Sequence, residues 1–474
     1  MKSYLYLAVC TAVGTISLQA QANEHQDMAT ITKEMAAGAG AKLACSGVFL
    51  QNRTPENVVQ RDLRPIAYPL LKDVEFGFDQ NTKIATAIAG DVKRSALYRP
   101  GVGCTLMLDN STPDQLLEQA KEIADNFRPR RAQEWPLGDE VSLDRNRRGV
   151  DWKKLDAAVD AAFVDASEHQ TVDTRAVLVV YQGKIVAEKY AEGFNQESRF
   201  LAWSASKSVA SALIGTMVTR NKLALDEAAP VSEWSAEGDA RGQITLRSLL
   251  NMTSGLEFTE PYIPGNDSTN MLFREGYMAK YAANKPAETA PDTKWYYSSG
   301  TTNILSHILF DAVGGTLQDV HTYAWDHFFK PVGMTSAVFE PDVSGSHVGS
   351  SYFYATAQDW ARFGLLFLNE GMVGDKQVLS REWVAYTRSV TPLAPKGMYG
   401  AQFWHNRGSL DNEEDRMLVD APKDLFMAAG YAGQHIAIVP SKDAVVIRFG
   451  WTNRGEKFDV NKHFSEILNA LPEK

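Results

Sequence analysis

The residues of this chain best suited to chemistry are Ser204 and Lys207, three apart at the head of the stretch Phe200–Thr219, F-L-A-W-S-A-S-K-S-V-A-S-A-L-I-G-T-M-V-T. On a helix that spacing is one turn, so a hydroxyl and an amine lie side by side on one face. The run is apolar enough to be buried, and burial favours the neutral amine. Bringing a lysine from about 10.4 to near 7 takes roughly 4–5 kcal/mol of differential interaction. The helix N-terminus adds partial positive charge, which disfavours the ammonium further and favours an oxyanion beside Ser204. A neutral amine next to a serine hydroxyl predicts an activated nucleophile.

The element that must carry the pair reads as an internal helix. Val209, Leu213 and Met217 form one apolar row and Ala210, Ile214 and Val218 the next, leaving little solvated face. Ala205, Ser208, Ala210, Ser211, Ala212 and Gly215 are small, which predicts close packing against other elements. Other hydrolytic and nucleotide chemistries lose their usual support, because the chain has no G-x-S-x-G, no H-E-x-x-H and no phosphate-binding glycine loop.

A chain of 474 residues accommodates one large domain of about 300 residues plus a smaller one. A formal charge of −10 without a dense basic cluster argues against a nucleic-acid partner. Residues 1–22 carry Lys2, the apolar run Tyr4–Leu18 and Ala20-Gln21-Ala22, the pattern of a signal peptide cleaved before Asn23. Lipidation at Cys10 is poorly supported, since valine precedes it. The apolar run is too short to span a bilayer and no later stretch reads as a span. The mature protein is therefore expected to be soluble and exported, periplasmic in a diderm bacterium. Loss of the leader leaves Cys45 and Cys104, both near glycine in strand-like stretches, and export predicts that they pair. Such a loop of about 60 residues stabilises by roughly 4 kcal/mol in the chain-entropy picture.

Residues 23–140 read as an extension with its own small core. Val74–Phe78 and Lys83–Ile88 predict a hairpin around Asp79–Thr82, and Pro113–Phe127 an amphipathic helix. Arg128–Val150 reads as a linker, and the extension as structural support or a lid. A main domain opens at Asp151, a helix cap, and runs to the end of the chain as residues 150–474. Ala176–Tyr190 predicts two strands joined at Gln182-Gly183, Ile244–Leu256 a helix ending at Gly255, and 257–290 an irregular, tyrosine-rich, substrate-facing loop. Helices follow Y-Y-S-S-G and cover Tyr354–Gly371. Phe426–Gly450 predicts closing strands that turn at Ser441-Lys442-Asp443. Strands at both ends with helices between imply an α+β fold with a mixed sheet closed by chain-terminal strands.

The ordered set F-L-A-W-S-A-S-K-S-V, L-L-N-M-T-S-G-L, Y-Y-S-S-G, P-V-G-M and A-T-A-Q-D-W-A-R-F-G-L-L resembles the penicillin-recognising serine hydrolases. These are the class C β-lactamases, D-Ala-D-Ala peptidases and related esterases, and the likeness is strongest to 6-aminohexanoate-dimer hydrolases. The resemblance implies a β-lactamase/transpeptidase-like fold, an antiparallel sheet with flanking helices and a helical subdomain. It assigns the S-x-x-K serine and lysine to Ser204 and Lys207, and the Y-x-N tyrosine to Tyr297 rather than Tyr296. Ser299 stands where the family usually has asparagine, removing an amide that helps hold substrate and orient the lysine. Ala428-Ala429-Gly430 stands where penicillin-handling members carry K-T-G or H-x-G, so the cation is gone while Gly430 remains.

The implied mechanism is acyl transfer through a covalent acyl-serine. Lys207 and Tyr297 share the proton network that deprotonates Ser204, and the backbone N–H groups of Ser204 and Tyr431 meet the tetrahedral oxyanion. Tyr262 and His435 are further substrate-binding candidates. No metal or organic cofactor is needed. The expected partner is a small-molecule or peptide-like acyl substrate, a linear amide or ester. Alternatives are a D,D-peptidase or β-lactamase, and a catalytically silent wall-binding protein. Oligomeric state is not legible.

Overall fold

The computed structural model describes residues 28–66, 70–123, 132–141, 143, 145, 147–164, 172–452 and 458–473. The signal-peptide pattern of residues 1–22 and its cleavage point before Asn23 lie outside the described residues.

A seven-stranded antiparallel sheet forms the backbone of the main body. Its spatial order is Tyr399–Gly400, Phe403–His405, Phe426–Gly430, Gln434–Val439, Ala444–Gly450, Thr174–Tyr181 and Lys184–Tyr190. The last strand in the chain, Ala444–Gly450, pairs with the first of the sheet, Thr174–Tyr181, so chain-terminal segments do close it. The turn at Gln182-Gly183 has both residues at positive φ, 48° and 71°, as a two-residue hairpin requires.

Alternation along these strands separates two cores. Leu178, Val180 and Ala428 face the inner core, with the serine helix Ser206–Thr219 and helix Ala357–Leu368, while Val177, Val179 and Met427 face an outer one. The outer core is covered by helix Trp152–Ala161 and the C-terminal helix Val460–Asn469. Asp151 caps the first of these, its carboxylate accepting from the Lys154 amide at 3.1 Å. Helices Ser299–Val313, Leu317–Ala324 and Asp267–Arg274 build the helical part beside the inner face.

The extension contributes a helix over 28–45 and a four-stranded antiparallel meander, Glu75–Asp79, Ile84–Ala89, Val92–Arg99 and Gly103–Met107. The hairpin expected around Asp79–Thr82 is its first turn. Helix Pro113–Ala120 starts from a capping box at Thr112, and the expected continuation to Phe127 runs outside the described residues. Buried residues of the extension, among them Ala37, Leu43, Val58 and Leu106, are continuous with the inner core of the main body.

Three local expectations are corrected. Cys45 ends a helix that widens into a π turn at Ser46–Leu50, so only Cys104 sits on a strand; the two are disulfide-bonded, 6.1 Å apart between Cα atoms. The helix expected to run to Gly255 stops as Leu246–Leu250, because Met252 takes φ 61° and turns the chain. Residues 257–290 are not wholly irregular. They hold helices Asp267–Arg274 and Met278–Ala283, short segments whose packing, rather than propensity, makes them helical.

Candidate active site

The nucleophile sits in a strained turn. Strand Phe200–Leu201 runs into a single 3-10 turn, Trp203–Ala205, and the helix proper begins at Ser206, so Ser204 stands just ahead of the helix and Lys207 on its first turn. Trp203 has φ 47°, a conformation unfavourable for a bulky residue and typical of functional turns. Its indole is held between Tyr431, edge-on at 5.8 Å, and Trp451 at 6.1 Å.

Lys207 is 1% exposed. Its Nζ lies 3.1 Å from each of three oxygens: Ser204 Oγ, Ser299 Oγ and the Ser350 carbonyl. A neutral amine has two N–H groups and one lone pair. The Ser350 carbonyl can only accept, and the Ser299 hydroxyl also accepts, because its own proton goes to Glu260 Oε1 at 2.6 Å. Both N–H groups are thereby committed, and the lone pair is left for the proton of Ser204. Burial lowers Lys207 from 10.5 to about 8, with the Glu260 charge opposing the shift. A substantial fraction of the free base is then present near neutral pH.

Glu260 and Ser350 are the partners that the sequence did not disclose. Glu260 Oε2 accepts the Ser299 amide at 2.7 Å while Oε1 takes the Ser299 hydroxyl proton. The carboxylate thus fixes the hydroxyl rotor that receives Lys207. Burial pushes Glu260 up, and Lys207, Ser299 and its amide pull it back. Replacing the family's asparagine by Ser299 therefore does not leave the lysine unheld, since a serine backed by a glutamate takes over that contact. The only hint in the sequence was a carboxylate two residues before Tyr262. Ser350 acts through its main chain, which no side-chain pattern reveals.

The other expected residues divide into two groups. Tyr297, rather than the exposed Tyr296, faces the nucleophile: Lys207 Nζ lies 4.9 Å from its ring centre, and Ser204 is near enough to draw its phenol down. Burial pushes the Tyr297 phenol well above 10, with Tyr399 and Glu260 adding to it, so it holds its proton. That suits a donor to the leaving group, after Lys207 has taken the proton of Ser204. Tyr262 joins the site as well, beside Ser299 and Ser351 and stacked on Tyr431 at 6.2 Å. Gly430 closes on the nucleophile turn so tightly that a Cβ there would lie 2.1 Å from the Ala202 carbonyl and 3.1 Å from the Ser204 amide. Only glycine allows the strand to deliver Tyr431 beside Ser204.

His435 is not brought to this group. It pairs with Ala429, whose side chain faces the outer core, and its ring meets Phe464 edge-on at 5.9 Å; burial and the nearby Arg448 lower it to about 3. Arg448, the other cation on the closing strands, spends its guanidinium on the carbonyls of Val172, Ala432 and Gly433 and the hydroxyls of Thr174 and Thr452. Ala428 is fully buried facing the inner core. Among the described residues no group of three or more His, Cys, Asp or Glu could hold a metal ion, and no helix is long and apolar enough to cross a membrane.

Known proteins resemble the chain in sequence and in fold. The beta-lactamase family matches residues 159–470, well over half of the chain. The 6-aminohexanoate-dimer hydrolase of Paenarthrobacter ureafaciens is 24% identical over 302 residues, covering 58% of this chain and 72% of its own. Among solved structures, a family VIII carboxylesterase aligns with a TM-score of 0.52 at 13% identity, over 67% of this chain and 96% of the other. A penicillin-binding protein homolog from Caulobacter crescentus aligns with a TM-score of 0.52 at 14% identity, over 69% and 97%. These two likenesses are of fold. With the family match spanning the whole site from Ser204 to Tyr431, the chain belongs to the beta-lactamase family and is a serine hydrolase.

Proposed function

We propose that the protein is an exported serine hydrolase that cleaves a linear amide or ester through an acyl-Ser204 intermediate. The observation that carries this reading is the commitment of both Lys207 N–H groups to Ser299 and Ser350, which aims its lone pair at Ser204. Lys207 takes the proton of Ser204 as Oγ attacks the acyl carbon. Tyr297 protonates the leaving nitrogen or oxygen and is reprotonated from Lys207, and water then repeats the sequence on the acyl-enzyme. The oxyanion is met by the amides of Ser204 and Tyr431, each donor worth roughly 3–4 kcal/mol.

The substrate class follows from what the closing strand lacks. A lysine or histidine at position 428 would bind a substrate carboxylate through a charge-assisted contact worth about 1.5–3 kcal/mol. Ala428 offers none, and His435 and Arg448 are engaged elsewhere. Affinity for penicillins and D-Ala-D-Ala peptides falls by roughly one to two decades, whereas a substrate without that carboxylate loses nothing. The names of two similar proteins, a 6-aminohexanoate-dimer hydrolase and a carboxylesterase, are those of linear amide and ester hydrolases.

Intact-mass measurement after incubation with a fluorophosphonate, a penicillin and short acyl esters tests the reading. Acyl adducts from the esters on Ser204, with slow or no penicillin adduct, are expected. A cephalosporin turned over faster than the esters contradicts it. Export is tested separately: protein recovered from its native cells begins at Asn23, and an intact Met1 overturns that part.

A further inference from the structure

The extension reaches the active site through one buried carboxylate. Glu340 follows strand Val338–Phe339 of the main body and is fully buried, and among the described residues the three groups that donate to its carboxylate all come from the extension. Lys42 forms an ion pair with Oε2, the Ser46 hydroxyl donates to Oε1 at 2.8 Å, and the Cys104 amide donates to Oε1 at 2.7 Å. The Cys45–Cys104 disulfide ties the helix end carrying Lys42 and Ser46 to the strand carrying the Cys104 amide. Gly103 lets that strand approach, because a Cβ on it would lie 2.6 Å from Glu340 Cγ.

From Glu340 the contacts lead directly to Lys207. The Glu340 amide donates to the Tyr352 carbonyl at 3.0 Å and its carbonyl accepts from the Val348 amide at 3.0 Å, so Glu340 closes both ends of the turn that contains Ser350. Lys42 Nζ lies 4.0 Å from the centre of the Tyr352 ring, a second hold on the same turn, and the Thr105 hydroxyl donates to the Pro341 carbonyl at 2.9 Å. The carbonyl of Ser350 is one of the two acceptors that set the direction of the Lys207 lone pair. We propose that Glu340, gripped by Lys42, Ser46 and the disulfide-linked Cys104 strand, is a positioning residue for the general base, and that the extension is thereby a working part of the catalytic centre.

The proposal rests on Ser204 and Lys207 acting as argued above, so the test reads both. Wild type, Glu340→Gln, the charge-free double variant Lys42→Met with Glu340→Gln, and Cys45→Ala with Cys104→Ala are labelled with a fluorophosphonate, with the labelled residue mapped and rate followed against pH. The double variant is included because Glu340→Gln alone strands a buried ammonium and can cost the fold. Leu116→Ala, which opens a cavity on helix Pro113–Ala120 and keeps every group that donates to the Glu340 carboxylate, controls for destabilisation of the extension. Labelling at Ser204 slowed about ten- to a hundredfold in the folded Glu340 and disulfide variants, with a displaced pH midpoint, is expected. Leu116→Ala should lower Tm yet label at the wild-type rate. If wild type is not labelled at Ser204, the hydrolase reading fails and this inference with it. If wild type is labelled and the variants lose only Tm, keeping rate and midpoint, Glu340 is merely structural and the inference alone is overturned.

Discussion

Two of the buried lysines among the described residues, Lys42 and Lys207, face glutamates and do opposite things. Lys42 and Lys207 are each 1% exposed, and burial lowers both. Lys42 touches its carboxylate directly and has Ser46 Oγ at 3.0 Å and the Tyr352 ring as further targets, so each of three N–H groups has an acceptor. That is the coordination of an ammonium. Lys207 meets its glutamate only across the Ser299 hydroxyl, and of its three neighbours one, Ser204, is a hydroxyl with a proton it can give to the amine. That is the coordination of a free amine. One intervening hydroxyl therefore separates a structural ion pair from a general base, because it keeps the compensating charge near enough to orient the lysine and too far to hold its proton.

The contrast breaks most completely at Lys207. Lys207→Met removes the base and should slow acylation of esters by about 10² to 10⁴ in stopped-flow assays, whereas Lys42→Met with Glu340→Gln should cost at most about a hundredfold. Gly430→Ala comes next. Its methyl collides with the Ala202 carbonyl and crowds the Ser204 amide, so loss of one oxyanion donor predicts a drop of about 10²–10³ in kcat. A wild-type rate in this variant would show that the strand end is not part of the oxyanion site.

Much of this contrast was legible in the chain and part of it was not. The serine helix announces itself through local spacing, and Tyr297 through its distance from the helix that follows, since both are set by short segments. Pairing of Cys45 with Cys104 followed from the expected export and the cysteine count. Glu260 lies 39 residues from Ser299 and Glu340 lies 298 from Lys42, so nothing local marks either contact. His435 is the instructive failure. It pairs with Ala429 rather than Ala428, and strand alternation sends it to the outer face, so the register that excludes it depends on where the hairpin turns. Short helices in 257–290 were hidden for the converse reason, being stabilised by packing on helix Ser299–Val313 rather than by local propensity.

Smaller effects sharpen the distinction. Glu260→Gln removes the charge that raises Lys207, so the midpoint of the acylation rate should move below about 8 while the maximal rate falls modestly through a looser Ser299 rotor. An unchanged midpoint would mean that Glu260 orients without influencing the base. Stability carries a further signature. The Lys207 pKa is lower in the fold than in the unfolded chain, so the lysine destabilises the fold below pH 8, and the penalty fades as pH rises from 8 to 10.5. Wild type should therefore gain about 3 kcal/mol relative to Lys207→Met across that window in denaturant titrations. A constant difference between the two proteins would place the lysine at its ordinary pKa.

The central claim, that Lys207 is an amine and not an ammonium when Ser204 attacks, is tested most directly by the pH dependence of the single-turnover acylation rate with a neutral ester. The rate should climb tenfold per pH unit in the acid range and level off near pH 8, matching the value to which burial brings Lys207. A rate independent of pH between 6 and 9, or a midpoint near 10.5, would contradict the account.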